Sequence, residues 1–418
     1  MQRAATATIF DESSCERCRA DFPSLRRRFG SHAVAFLDGP GGTQVPDAVI
    51  EAIADSYRAR NVNTHGNFPV SAELDERHYQ MRATVADFLG AASGERISFG
   101  QNMTTLAFSL AHAIGRRLKA GEEVLITQLD HEANRGPWLM LRRQGVVVRE
   151  VPLLPTGELD YAALRGLLTE RTRLLALGCS SNAIGTVNDL KLARQLTREA
   201  GVLLVLDAVH YAPHFAVNVA QLDPDYLICS AYKFYGPHVG ILYSRPGALE
   251  ALDTDKLVVQ EEAAPYRIET GTLNHAAIEG VGAAVDYLAR FGRGAGRREA
   301  VHDAISAISA YEHALGRYLW SALSEVPGVT LWGVPFTVPQ RAPTVCFTLS
   351  GVESAAIARK LGAVGICVWD GDFYAPRPVE VLKVPGRSLL RVGFSMYNTL
   401  EEGKRLVEIV AGLARDKH

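Results

Sequence analysis

Between residues 120 and 245 the chain returns repeatedly to one kind of segment: EEVLITQ, VVVREVPL, RLLALGCS, VLLVLDA, DYLICS and VGILYS. Such short, almost continuously apolar runs read as strands buried on both faces. Amphipathic stretches such as LKLARQLTREA (190–200) lie between them, which makes them crossover helices. The pattern predicts an α/β fold with a mostly parallel sheet. Further helical spacing occurs at TTLAFSLAHAIGRRL (104–118), near 300–324 and at 399–414. Beyond the glycine-rich FGRGAGRR (291–298), helices mix with strands such as PTVCFTL (343–349) and SLLRVGF (388–394), which reads as a smaller α+β unit. With 418 residues, 47% of them hydrophobic, the chain can bury a core for both.

Charge narrows the function. The formal net charge is -2, and the densest basic run, RRR at 26–28, reads as a solvated helix end, so nucleic-acid and membrane-surface partners are not expected. MQRAATATIFDESS lacks an apolar segment of signal-peptide type, and the expected location is the cytoplasm. Six cysteines are too few for a disulfide framework in so long a chain. Cys15 and Cys18 form a CxxC, but no second ligand pair follows, and no metal is expected.

In open α/β sheets the ligand lies beyond the carboxyl ends of the strands. Polar residues cluster there: His131 after LITQ, Asn182 after LLALGCS, Asp207 and His210 at the end of LLVLD, and Lys233 after LICS. Lys233, in SAYKFYGPHVGIL, either snorkels to solvent or is a desolvated amine with a lowered pKa, ready to act as a nucleophile. In GQNMTTLAFSL a glycine turn leads through Asn102 and Met103 to Thr104 or Thr105 at a helix start, which suits a phosphate or an ordinary cap.

The ordered set FLDGPGGTQVP, LDHEANRGPW, SSNAIGTVNDL, LLVLDAVH, SAYKFYGP, ETGTLN and RVGFSMYNT resembles the class V aminotransferase or cysteine desulfurase-like group of fold type I pyridoxal phosphate (PLP) enzymes. The resemblance implies a large PLP-binding domain over 36–295, with a mostly parallel sheet of the seven-stranded type. It implies a small domain over 296–418, with residues 1–35 packing on it, and a homodimer acting on an amino acid. It assigns Lys233 to hold the cofactor covalently and shuttle the α-proton. Asp207 faces the protonated pyridine nitrogen, which the ring needs to act as an electron sink. His131 lies over the ring, and Asn182 bonds a ring oxygen or the substrate carboxylate. Asn102, Met103, Thr104, His210, Ser230 and Tyr232 join the cofactor site, Tyr232 standing where the family commonly has histidine. Thr272 is lent to the neighbouring subunit's phosphate, and Arg391 grips the substrate carboxylate with its planar fork.

The pattern breaks at WDGDFYAP (369–376), which matches a desulfurase stretch resembling RxGHHC. Tyr374 takes the position of the nucleophilic cysteine, Asp372 that of a histidine and Trp369 that of the arginine. A phenol cannot form a persulfide. Cys367 precedes the loop in an apolar strand-like run and reads as a packed thiol. Asp370 and Asp372 reverse the local charge, either to select substrate or simply as turn residues. Tyr374 is then a proton donor or a substrate wall. The leading expectation is β-elimination from a sulfur-containing amino acid. Epimerisation and transamination are the alternatives; a true desulfurase and a non-catalytic PLP-binding protein stand behind them.

Overall fold

The computed structural model describes residues 10–338 and 340–415. Seven strands form the main sheet: β1 (Ile97–Gly100), β2 (Glu123–Thr127), β3 (Val147–Val151), β4 (Thr172–Gly178), β5 (Leu203–Asp207), β6 (Tyr226–Ser230) and β7 (Gly240–Ser244). Their order is β1-β7-β6-β5-β4-β2-β3. All pairings are parallel except those of β7, which runs antiparallel to both β6 and β1.

The apolar runs are explained by burial on both sides. Leu204 and Leu206 of β5 enter one core with Leu175, Leu177, Leu227 and Cys229. Val205 enters the other, with Ile126, Ala176 and Ile228. That second core is capped by α2 (Met103–Gly115), whose Leu106, Leu110 and Ile114 share the buried face at helical spacing. On the opposite face lie α1 (Pro69–Leu89) and α3 (His275–Ala289). α1 is anchored by a buried ion pair: Arg82 donates through both terminal nitrogens to Glu269 at 2.7 Å each, and Phe99 N–H donates to the same carboxylate at 2.6 Å.

The long helix α4 (Arg297–Ser324) leads into a four-stranded antiparallel sheet of β8 (Val329–Trp332), β9 (Thr344–Leu349), β10 (Trp369–Gly371) and β11 (Leu389–Gly393), ordered β8-β9-β11-β10. Its core takes Val345, Phe347, Leu390 and Val392 together with Leu406 and Val410 from α5 (Leu400–Arg415), and also Ala35 and Leu37 from near the start of the chain. Residues 35–36 add a short parallel pairing with 366–367. The first helix, Glu12–Arg19, docks between these layers, where the Cys15 thiol donates to the Asn398 carbonyl. Phe22 then packs its ring against Tyr235, Tyr287 and Tyr397. The loop after β6 is thereby braced from behind. No helix among the described residues is long and apolar enough to cross a membrane.

Candidate active site

The carboxyl ends of β2, β4, β5 and β6 meet the loop after β10 around a cavity of about 810 Å³. Its wall carries Asn102, Met103, Thr104, His131, Asn182, Asp207, His210, Ser230, Tyr232, Lys233, Asp372, Tyr374 and Arg391. Thr272 is elsewhere in this chain, in a surface groove with Tyr57, Arg60 and Asn63.

Lys233 is buried, not snorkelling. It ends the 3-10 turn Ala231–Lys233 directly after β6, and its amine donates to the Pro40 carbonyl. The segment around Pro40 clamps that turn: Thr43 N–H donates to the Tyr232 carbonyl at 3.0 Å and Tyr235 N–H to Thr43 Oγ1 at 2.8 Å. Burial, helped by the Arg391 charge, pushes the amine down to about 7, against the pull of Asp207 and Asp38. A buried amine with a substantial neutral fraction near pH 7 is a nucleophile toward carbonyl carbon.

Asp207 closes β5 and is itself buried. Its carboxylate accepts from Val209 N–H at 2.9 Å, and burial pushes its pKa up to about 7. Asp130 adds repulsion behind it while accepting from Gly178 N–H at 2.9 Å and Asn134 Nδ2 at 3.1 Å.

Two histidines on the wall are held neutral. His131 Nδ1 accepts from Ala133 N–H at 3.0 Å, which leaves the proton on Nε2. Burial, then the Lys233 and Arg391 charges, push it down to about 4. His210, more deeply buried, is pushed well below its ordinary value; its Nε2 lies 3.0 Å from Thr344 Oγ1, and its Nδ1 has no partner.

Arg391 enters from β11. Its guanidinium stacks 4.2 Å from the Phe373 ring centroid, and Nη1 donates to the Asn182 carbonyl at 3.0 Å. Its Nε is buried without a partner. The Asn182 amide donates to the Phe373 carbonyl at 2.9 Å, and its Oδ1 is also unpaired. These unpaired buried groups are where an anionic or polar ligand would be held, since leaving them unmade is costly.

The loop after β10 is held in a tight conformation. Phe373 and Tyr374 both take left-handed backbone angles, φ 60 and 56. Glu132 N–H donates to the Tyr374 carbonyl at 2.8 Å. Asp372 accepts from Tyr374 N–H at 3.0 Å, so one of its oxygens serves the turn. The Tyr374 ring is 77% exposed at the mouth, 5.9 Å from the His131 ring. Cys367 lies outside the cavity wall, its half-buried thiol pushed up by burial.

Sequence reasoning missed Asp38, Phe373 and His238. Asp38 is pushed up to about 6, first by burial, while the Arg391 and Lys233 charges oppose the rise. Phe373 is the plate under Arg391, and His238 lines the cavity wall. Each has a role only through contacts distant in sequence. Asp38 alone left a trace, in the LDGPGG turn.

Residues 35–406 match the family described as Aminotransferase class-V. The chain belongs to that family. Among its class V relatives is a cysteine desulfurase of Yersinia pestis (strain Pestoides F), 34% identical over 416 residues that cover 96% of this chain and 97% of the relative. A cysteine desulfurase of Escherichia coli superposes with a TM-score of 0.83 at 28% identity, over 96% of this chain and 98% of that one. The apo cysteine desulfurase of Thermococcus onnurineus NA1 shares the fold, with a TM-score of 0.86 at 24% identity over 99% and 100%. The class V enzymes use pyridoxal phosphate, and so does this chain. The cavity fits that cofactor: it offers a buried amine for an aldehyde, a buried carboxylate for a ring nitrogen, and the N-terminus of α2 for a phosphate.

Proposed function

We propose that this PLP enzyme acts at Cα and Cβ of an amino acid, and that its reaction is β-elimination from a sulfur-containing substrate. The observation that carries this reading is one cavity uniting Lys233, Asp207 and Arg391 with Tyr374 of the loop at 369–376, the residue that the resemblance sets at the desulfurase cysteine's position. Bound PLP supplies an aldehyde that takes amines covalently and a ring that accepts the electron pair left when the Cα proton departs. Lys233 would hold the aldehyde, be released as a free amine when the substrate amino group takes its place, and then accept the Cα proton. Asp207 would hold a proton on the ring nitrogen, and His131 and Asn182, on the same cavity wall, would position the ring. Arg391, whose buried Nε lacks a partner, receives the α-carboxylate. The Cβ–S bond breaks with its electron pair on sulfur, Tyr374 gives that sulfur a proton, and water completes the conversion to thiol, pyruvate and ammonia.

A panel of amino acids assayed for pyruvate, ammonia, thiol and α-proton exchange tests the reaction. Proton exchange without ammonia would replace it with epimerisation, and amino-group transfer to a keto acid with transamination. Tyr374→Phe should lower turnover by roughly 10², the low end for general acids because this phenol faces solvent. Unchanged turnover would reduce the ring to a wall.

Arg391→Lys should lower kcat/KM roughly 10- to 100-fold, because one ammonium cannot reproduce a bidentate fork. Equal use of an amino acid and its decarboxylated amine would count against this role. The working unit is a homodimer in which Thr272 serves the partner's phosphate site, a reading supported by its place on an exposed turn outside its own cavity. A PLP-loaded, active monomer in sedimentation would overturn it.

A further inference from the structure

A cofactor phosphate is a dianion, and the cavity's basic groups differ in their ability to meet it. His131 and His210 are neutral, Lys233 is committed to the aldehyde, and Arg391 is engaged over the Phe373 ring and with the Asn182 carbonyl. The remaining basic side chain on the wall is His238, which is exposed.

His238 is held in place. Its ring stacks face to face on Tyr232, with centroids 4.7 Å apart and planes 8° from parallel. Two residues later Gly240 opens β7, paired with Ser230 on one side and Gly100 on the other. A Cβ on Gly240 would come within 2.4 Å of the Asn102 main chain, so this turn abuts the N-terminus of α2. In the same corner the Ser230 hydroxyl accepts from Met103 N–H at 3.0 Å, and Asn102 caps Thr105 N–H at 2.9 Å. The Tyr232 phenol, by contrast, is pushed up by burial and then by Asp207, with the Arg391 charge opposing. Its ring is the plate that carries the imidazole.

We propose that His238 is the imidazole donor of the phosphate subsite, donating from its stack on Tyr232 to the PLP phosphate at the N-terminus of α2. This rests on the reading that Lys233 holds the cofactor. The helix end and the Ser230 hydroxyl supply main-chain and hydroxyl donors, and His238 adds a ring N–H.

Apoenzyme titrated with PLP and with pyridoxal, which lacks the phosphate, reads this directly. His238→Ala should weaken PLP roughly 10- to 100-fold and leave pyridoxal within about twofold. The phosphorus resonance of the holoenzyme should shift, and His238→Lys, which restores a side-chain N–H donor, should recover most of the affinity. Unchanged PLP affinity in His238→Ala, or equal losses for PLP and pyridoxal, would overturn the assignment. Borohydride reduction of the wild-type holoenzyme separates the two layers. A label on Lys233 with unchanged PLP affinity sinks His238 alone, whereas a label on another lysine sinks the reading beneath it as well.

Discussion

Lys233→Ala should give a folded protein that binds PLP without covalent attachment and turns over its substrate at least roughly 10²–10⁴ times more slowly, the range set by losing the proton-transfer group alone. Peptide mapping after borohydride treatment of the wild type should find the cofactor on Lys233. Retention of wild-type turnover in the variant would remove the lysine from the mechanism. The pKa adds a second expectation. Attachment needs the neutral amine, and burial has moved Lys233 from 10.5 to about 7. The rate of loading the apoenzyme should therefore climb with pH only to about 7 and then level off, whereas an ordinary lysine would keep gaining to above 10. The sign for stability follows. Between the folded and unfolded values the unfolded chain binds more protons, so apoprotein stability rises with pH across about 7 to 10.5. Lys233→Ala should lack that slope.

The sheet was readable because strands covered on both faces must be apolar throughout, and their carboxyl ends then bring His131, Asn182, Asp207 and Lys233 together. Strand direction was less legible. VGILY looks the same whichever way it runs; the short link from Ser230 to Gly240 requires the antiparallel pairing observed, since a parallel one needs a long crossover. The pairings at 35–36 with 366–367 and at β10 are too short to leave a period in the sequence. Arg391 and the loop at 369–376 were reachable only through family resemblance, because their partners are distant in sequence: Arg391 bonds Asn182, and Tyr374 bonds Glu132. Phe373 and His238 gave no signal at all. One acts through a cation placed over its ring, the other through a stack on Tyr232, and neither contact has a sequence period.

Asp207→Asn should be nearly as damaging as losing the lysine, for a different reason. The carboxylate is buried, accepts from Val209 N–H, and is pushed up to about 7 because burial and the neighbouring Asp130 both oppose its charge. Only an opposing cation makes the ionised form favourable there, and a protonated ring nitrogen is such a cation. An amide keeps the shape and can still accept from Val209, but it cannot balance that charge. Removing one member of a buried charge pair costs about 2–5 kcal/mol, so kcat/KM should fall roughly 30- to 4,000-fold. Covalent attachment to Lys233 should survive, which distinguishes this variant from Lys233→Ala. Asp130→Asn is the control: it keeps a carbonyl oxygen for Gly178 N–H and removes the repulsion behind Asp207, so the Asp207 pKa should fall and activity should extend to lower pH. Near-wild-type turnover in Asp207→Asn would mean that the ring nitrogen needs no anion, and the assignment of Asp207 would fail.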